Sequence, residues 1–260
     1  AVSAGSAREP QFIEIRYTSP EAGKTVALVG KGVTFDTGGY SLKPATSMYG
    51  MKDDMSGGAA VLAVMRAAGQ TKPKINLIGL IPATENAIGG RAIHPGDVFR
   101  SFSGRTVEIN NTDAEGRLIL ADAVAYAAEN GADEIIDLAT LTGACVTALG
   151  REISGVFGND KRLIDSIISG AERAGDPMWQ LPLWRNYEDE LKSDIADLKN
   201  CGKRPAAAIT GALFIERFVG GKPWAHIDLS ASSVDKDTDL ARKGATGAGV
   251  GTVMAYLLGT

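Results

Sequence analysis

The stretch Val26–Lys43, VALVGKGVTFDTGGYSLK, decides the fold class. Val26–Val29 is wholly apolar and is closed by Gly30, as a strand buried on both faces of a sheet would be. Lys31 follows at once, at the strand's C-terminal edge, where open α/β sheets bind ligands. What comes next reads as a glycine-rich turn holding a carboxylate, Asp36, and a second lysine, Lys43. Outward from this stretch, Ile75–Ile81 repeats the short apolar pattern, and Phe12–Tyr17 alternates apolar and polar residues like a half-exposed edge strand. Thr106–Ile109, Glu134–Leu138, Ile153–Phe157 and Ala225–Leu229 complete the strand candidates. Between them lie helical stretches at Gly57–Gly69, Leu118–Glu129, Arg162–Ala174, Ala206–Phe218 and Ala248–Leu258, with Gly131 after Asn130 as a helix C-cap. This alternation predicts an α/β fold: a mixed, largely parallel central sheet flanked by helices on both faces.

At 260 residues the chain is long enough for one large domain, and no repeat, low-complexity tract or linker divides it; residues 1–260 read as a single unit whose first ten residues form a tail. The formal charge of −4 supplies no basic field, which argues against nucleic acid and anionic membrane as partners. Two cysteines, Cys145 and Cys201, lack any metal-binding spacing, and a reducing compartment fits them. Ala1–Pro10 lacks the layout of a signal peptide, and the uncharged stretch Gly244–Gly259 is too short and too rich in Gly, Ala and Thr for a membrane span. The expected location is cytoplasmic.

Three segments gather charge where a buried sheet would not: Lys31 to Lys43 with Asp36; Met51-Lys-Asp-Asp54-Met, ahead of an apolar helix; and Asn110-Asn-Thr-Asp113-Ala-Glu115-Gly-Arg117-Leu, between a strand and a helix. Singly, each reads as a turn or a helix cap. Together they place Asp36, Asp54, Asp113 and Glu115 beside strand ends with several cations, and carboxylates brought into one cleft repel unless a metal or a firm cation holds them. Oxygen-rich clusters of this kind suit one or two divalent metals. In an extended segment Asp113, Glu115 and Arg117 would face one side, two acids ligating metal while the guanidinium holds an anion.

VGKGVTFDTGG, MKDDM and above all NTDAEGRL resemble the hallmark motifs of the leucyl (cytosol) aminopeptidases, and Leu138–Ala144 and Lys243–Gly247 are similar to later segments of that family. The resemblance runs from about Phe12 to the C-terminus. It implies a zinc-exopeptidase-like fold and a metallopeptidase, a hydrolase that removes the N-terminal residue of peptides, preferably leucine-like. It implies two divalent ions, typically zinc, with manganese, magnesium or cobalt possible at an exchangeable site. Carried over residue by residue, the ligands are Lys31, Asp36, Asp54, Asp113 and Glu115. Asp36 and Glu115 would bridge both ions, Asp113 would serve the exchangeable one, and Lys31 and Asp54 the tighter one. Lys43 and Arg117 match the two catalytic cations, Arg117 holding a bicarbonate ion, and Met51, Thr140, Leu141 and Gly143 match the specificity pocket. The resemblance also implies a hexamer; family members carry an N-terminal domain before this part, which this chain is expected to lack. Ser230–Asp239 departs from the family in being polar.

The two histidines, His94 and His226, lie outside the motifs; His226 reads as a hydrogen-bonded core residue and His94 as a turn residue. Two other functions compete: a two-metal phosphoesterase, which also clusters carboxylates with Lys and Arg, and a non-catalytic regulatory or scaffold member of the family.

Overall fold

The apolar runs assemble into one central sheet in the computed structural model, which describes residues 1–239 and 241–259. In chain order the elements are β1 (Gln11–Tyr17), β2 (Thr25–Gly30), β3 (Gly32–Asp36), α1 (Ala45–Met48), α2 (Ser56–Thr71), β4 (Asn76–Asn86), β5 (Val98–Arg100), β6 (Thr106–Glu108), α3 (Gly116–Glu129), β7 (Glu134–Ala139), α4 (Gly143–Leu149), β8 (Ser154–Gly158), α5 (Lys161–Ala174), β9 (Met178–Gln180), β10 (Leu198–Lys199), α6 (Ala207–Glu216), β11 (Trp224–Asp228), β12 (Ser233–Val234), β13 (Gly244–Ala245) and α7 (Val250–Leu258). The sheet runs β1-β4-β2-β7-β11-β8-β9, with β3 also paired to β4. β4, β2, β7 and β11 are parallel. β1 is antiparallel to β4, and β8 runs against β11.

Both faces are covered, which is why the central strands are apolar throughout. On β2, Val26 and Leu28 point to a core shared with α2, α5 and α7, while Ala27 and Val29 point to a core shared with α3 and α6. Each fully buried Val or Leu contributes about 1.5–3 kcal/mol. The spacing Val61, Val64, Met65, Ala68 gives α2 its inward stripe. In the middle of the sheet His226 of β11 sits opposite Asp137 of β7, its Nδ1 2.6 Å from Asp137 Oδ1. The Trp224 indole donates to Asp137 Oδ2 at 2.7 Å, and all three residues are buried.

Three expectations need correction. The glycine-rich turn after Lys31 begins with a strand, β3, so the turn proper starts at Thr37. The strand expected to stop at Ile81 continues through Pro82 to Asn86. One observation explains both. The registers Val29↔Leu80 and Gly32↔Ala83 put Lys31 level with Pro82, which has no amide to give. The Lys31 amide instead donates to the Leu138 carbonyl at 3.0 Å, and the Lys31 carbonyl accepts from the Gly58 amide at 2.8 Å. β2 and β3 thus follow β4 as one line interrupted at Lys31. Finally, the first ten residues are not a tail throughout: Val2–Gly5 form a 3-10 turn, Val2 and Ser6 are buried, and Ser6 Oγ donates to Glu85 at 2.6 Å.

Candidate metal centre

The carboxyl ends of β2, β3 and β7 and the N-terminal ends of α2 and α3 converge on one point. The Lys31 ammonium stands at its middle, 2.7 Å from Asp54 Oδ2 and 2.8 Å from Glu115 Oε1, and donates to the Thr140 carbonyl at 3.1 Å. Gly116 makes room for this side chain, since a Cβ there would meet Lys31 Cε at 2.6 Å. Asp54 Oδ1 also accepts from Thr140 Oγ1 at 2.7 Å. Asp36 Oδ1 accepts from the Gly38 amide and from Asn86 Nδ2, while its Oδ2 is 2.9 Å from Lys43 Nζ. Lys43 in turn lies 2.6 Å from Asp113 Oδ1. The structure therefore brings Lys31, Asp36, Lys43, Asp54, Asp113 and Glu115 into one constellation.

Asp113 and Glu115 reach it by a route other than an extended segment. Thr112 and Asp113 lie in a turn, and Glu115 is the residue capping α3, with φ −73° and ψ −36°. Turn and helix start, not strand alternation, aim the two acids. Arg117 lies in the first turn of α3 and points elsewhere: it is 4% exposed, donates from Nη1 to the Asn200 carbonyl at 2.9 Å, and among the described residues leaves Nε without an acceptor.

Four carboxylates face two lysines, and the imbalance shows in the titration of the group. Burial alone would lower the Lys31 pKa, but Asp54 and Glu115 hold its ammonium form far above the ordinary lysine range. Lys43 is held up in the same way by Asp36 and Asp113 against its own burial. Burial pushes Glu115 up to about 7, with Lys31 opposing and the charges of Asp36 and Asp54 adding. Burial also raises Asp54 and Asp113. The protein's own cations do not neutralise the cluster.

A metal ion fits these residues. Asp36, Asp54 and Glu115 each offer a carboxylate oxygen, all within 4.8 Å of one another, and all three residues are buried. Among the described residues, Glu115 Oε2 has no hydrogen-bond donor. A buried acceptor left so costs about 1–3 kcal/mol, which a cation would offset. The cluster forms the floor of a cavity of about 660 Å³ whose walls include Met51, Thr140, Leu141 and Gly143, the residues expected at a specificity pocket. Arg117 is not on that wall.

Four supporting residues escaped the sequence reading. Asn86 bridges Asp36 and the Thr112 carbonyl. Thr112 Oγ1 donates to the Gly38 carbonyl and accepts from Ser41. Asn200 donates to the carbonyls of Asn111 and Ala114 and accepts from the Asn110 and Asn111 amides, tying down the loop ahead of α3. Asp228 accepts from the Leu141 and Thr142 amides and from Thr142 Oγ1. Asp228 alone carried a signal, an acid closing an apolar strand as Asp36 does.

The sequence profile of the cytosol aminopeptidase family, catalytic domain, matches residues 1–254. The chain belongs to the cytosol aminopeptidase family. A probable cytosol aminopeptidase of Geobacter sp. (strain M21) is 49% identical to this cytosol aminopeptidase family member over 258 residues, covering 98% of this chain and 52% of that one. A probable cytosol aminopeptidase of Chlorobaculum tepidum is 50% identical over 262 residues, covering 100% and 52%. Among solved structures, the bottromycin maturation enzyme BotP in complex with Mn superposes with a TM-score of 0.96 at 40% identity, covering all of this chain and 58% of that one. This family member thus spans about half the length of the curated relatives it matches. Among its described residues no helix is long and apolar enough to cross a membrane.

Proposed function

We propose that this chain is the catalytic domain of a two-metal aminopeptidase that removes single, preferably leucine-like, residues from the N-termini of peptides in the cytoplasm. The observation that carries the reading is the buried triad Asp36, Asp54 and Glu115 gathered round Lys31, with one Glu115 oxygen unpartnered. The residues that would hold the two cations are Lys31, Asp36, Asp54, Asp113 and Glu115. Such cations, zinc or, at the exchangeable site, manganese, magnesium or cobalt, supply Lewis acidity and lower the pKa of water. That BotP, which this chain resembles, forms a complex with Mn supports a divalent ion as the cofactor.

The chain's own residues do the rest. Lys31 could ligate only as the neutral amine, so a cation held there would displace its proton to solvent. Lys43 Nζ, on the cavity wall and anchored by Asp36 and Asp113, is a donor for negative charge developing on the scissile carbonyl oxygen. Loss of one such donor costs on the order of 10²–10³ in turnover. Arg117 would be the residue that holds a bicarbonate ion as the proton acceptor; it stands behind the cavity wall, and its Nε, without an acceptor among the described residues, is the group left to do so. Met51 with Thr140, Leu141 and Gly143 would receive the side chain of the leaving residue, worth about 1–3 kcal/mol per methylene of mismatch. Chain ends would be selected because the acidic floor, with cations held by Lys31, Asp36, Asp54, Asp113 and Glu115, would retain a free α-amine.

The test is hydrolysis of leucine p-nitroanilide by the metal-loaded chain, before and after chelation and with each metal restored. Loss on chelation and recovery with zinc or manganese are expected. Release of nitrophenol from p-nitrophenyl phosphate without any p-nitroaniline would assign a phosphoesterase instead, and neither product would leave a scaffold role. We also propose assembly as a hexamer; a monomer in light scattering would overturn that part.

A further inference from the structure

The cavity is not confined to the floor. It follows one face of α4, from Thr140–Gly143 at the helix start, past Val146, to Arg151 just beyond Gly150, whose φ of +78° ends the helix. A second cavity of about 260 Å³ opens beyond and shares Arg151 with the first; Ala231 and Val234 face it, whereas Ser232 and Asp235 face the catalytic side.

Three cations line the catalytic cavity, and they are not alike. Lys31 and Lys43 are each held by two carboxylates. Arg151 is exposed and, among the described residues, has no carboxylate within ion-pair distance. Nearby acids do not answer it. Asp176, in the second cavity, is occupied by the Gly249 amide and Thr252 Oγ1 at the start of α7. Asp53 and Asp235 on the rim repel any anion that arrives without a cation to receive it.

Seven residues of α4 span about 10 Å at 1.5 Å per residue. An extended peptide covers that distance in about three residues at roughly 3.3–3.6 Å each, and the long arginine side chain shortens the span. We infer that Arg151 receives a substrate carboxylate two or three residues downstream of the bound amine, so that the site favours di- and tripeptides, or peptides with an acidic second residue. The inference rests on the aminopeptidase reading and names the substrate class of that same site. The guanidinium offers a planar, permanently charged fork matched to a carboxylate.

The experiment compares kcat/KM of the metal-loaded chain for Leu-Gly and Leu-Gly-Gly with their C-terminal amides, and for Leu-Glu amide with Leu-Gln amide, in wild type, Arg151→Gln and Arg151→Lys. Arg151→Gln should lower the acid-to-amide ratio, or the Glu-to-Gln ratio, by on the order of ten-fold, through KM. Arg151→Lys should restore part of it. The first pair reports a terminal carboxylate and the second a side-chain carboxylate; a response in either supports the inference. Ratios that Arg151→Gln leaves in place while hydrolysis continues overturn it and spare the peptidase reading. Absence of hydrolysis of every leucyl peptide by the wild type sinks both.

Discussion

At Lys31 the backbone and the side chain have different partners. The backbone leaves β4 opposite Pro82 for Leu138 and Gly58, and the side chain is fixed between Asp54 and Glu115. Arg117 presents the opposite case, a buried cation whose only hydrogen bond among the described residues is to a carbonyl. Replacing it by Ala should cut turnover strongly and abolish any activation by bicarbonate, with metal content unchanged; a variant as active as wild type in a leucine p-nitroanilide assay would rule out its role. The acids were legible in the sequence because carboxylates beside strand ends are costly without a purpose. Asn86 and Asn200 were not, because a neutral amide carries no such cost and reveals its role only when its partners, 26 to 90 residues away, are known.

Among the elements, β2, β7 and α2 cross at close quarters. A Cβ on Gly57 would stand 1.9 Å from the Leu138 carbonyl oxygen and 2.9 Å from the Lys31 amide nitrogen, all backbone atoms that cannot swing aside. Gly57→Ala should therefore destabilise the fold by about 3 kcal/mol, the upper end for overpacking, and weaken metal uptake by shifting Lys31. Urea unfolding with the wild-type midpoint would contradict it. The main strands and five long helices were readable from periodicity and apolar runs. The misreadings were local. β3 carries Gly, Thr and a terminal Asp and exists because β4 lies beside it, and the Asp113–Arg117 spacing serves a turn as readily as a strand.

For the whole molecule, metal and pH act together on stability. Glu115 titrates at 4.5 in an ordinary chain and is pushed up to about 7 in the fold, largely by burial. Between those values the metal-free folded chain holds a proton that the unfolded chain has lost, so its stability falls as pH rises from about 4.5 to about 7. Asp54 and Asp113, raised by burial, add in the same direction. His226 adds too: despite its burial, Asp137 raises its pKa, and that contribution disappears as pH rises through the raised value. The urea midpoint of the chelated protein should drop across this window. The midpoint gained on adding zinc should grow, because carboxylates bind metal as anions. A flat profile would show that the cluster is neutralised by other means.

The hydrogen bond from the Trp224 indole into the sheet has a practical result for such a titration. Trp224 is shut off from solvent, whereas Trp179 and Trp184 are 66% and 57% exposed. Its fluorescence emission should lie to the blue of theirs and escape iodide quenching, and its ring stacks 6.3 Å from His226 at 11° between planes. The protein's centre is thus wired to an intrinsic optical probe that distinguishes collapse of the core from fraying at the surface.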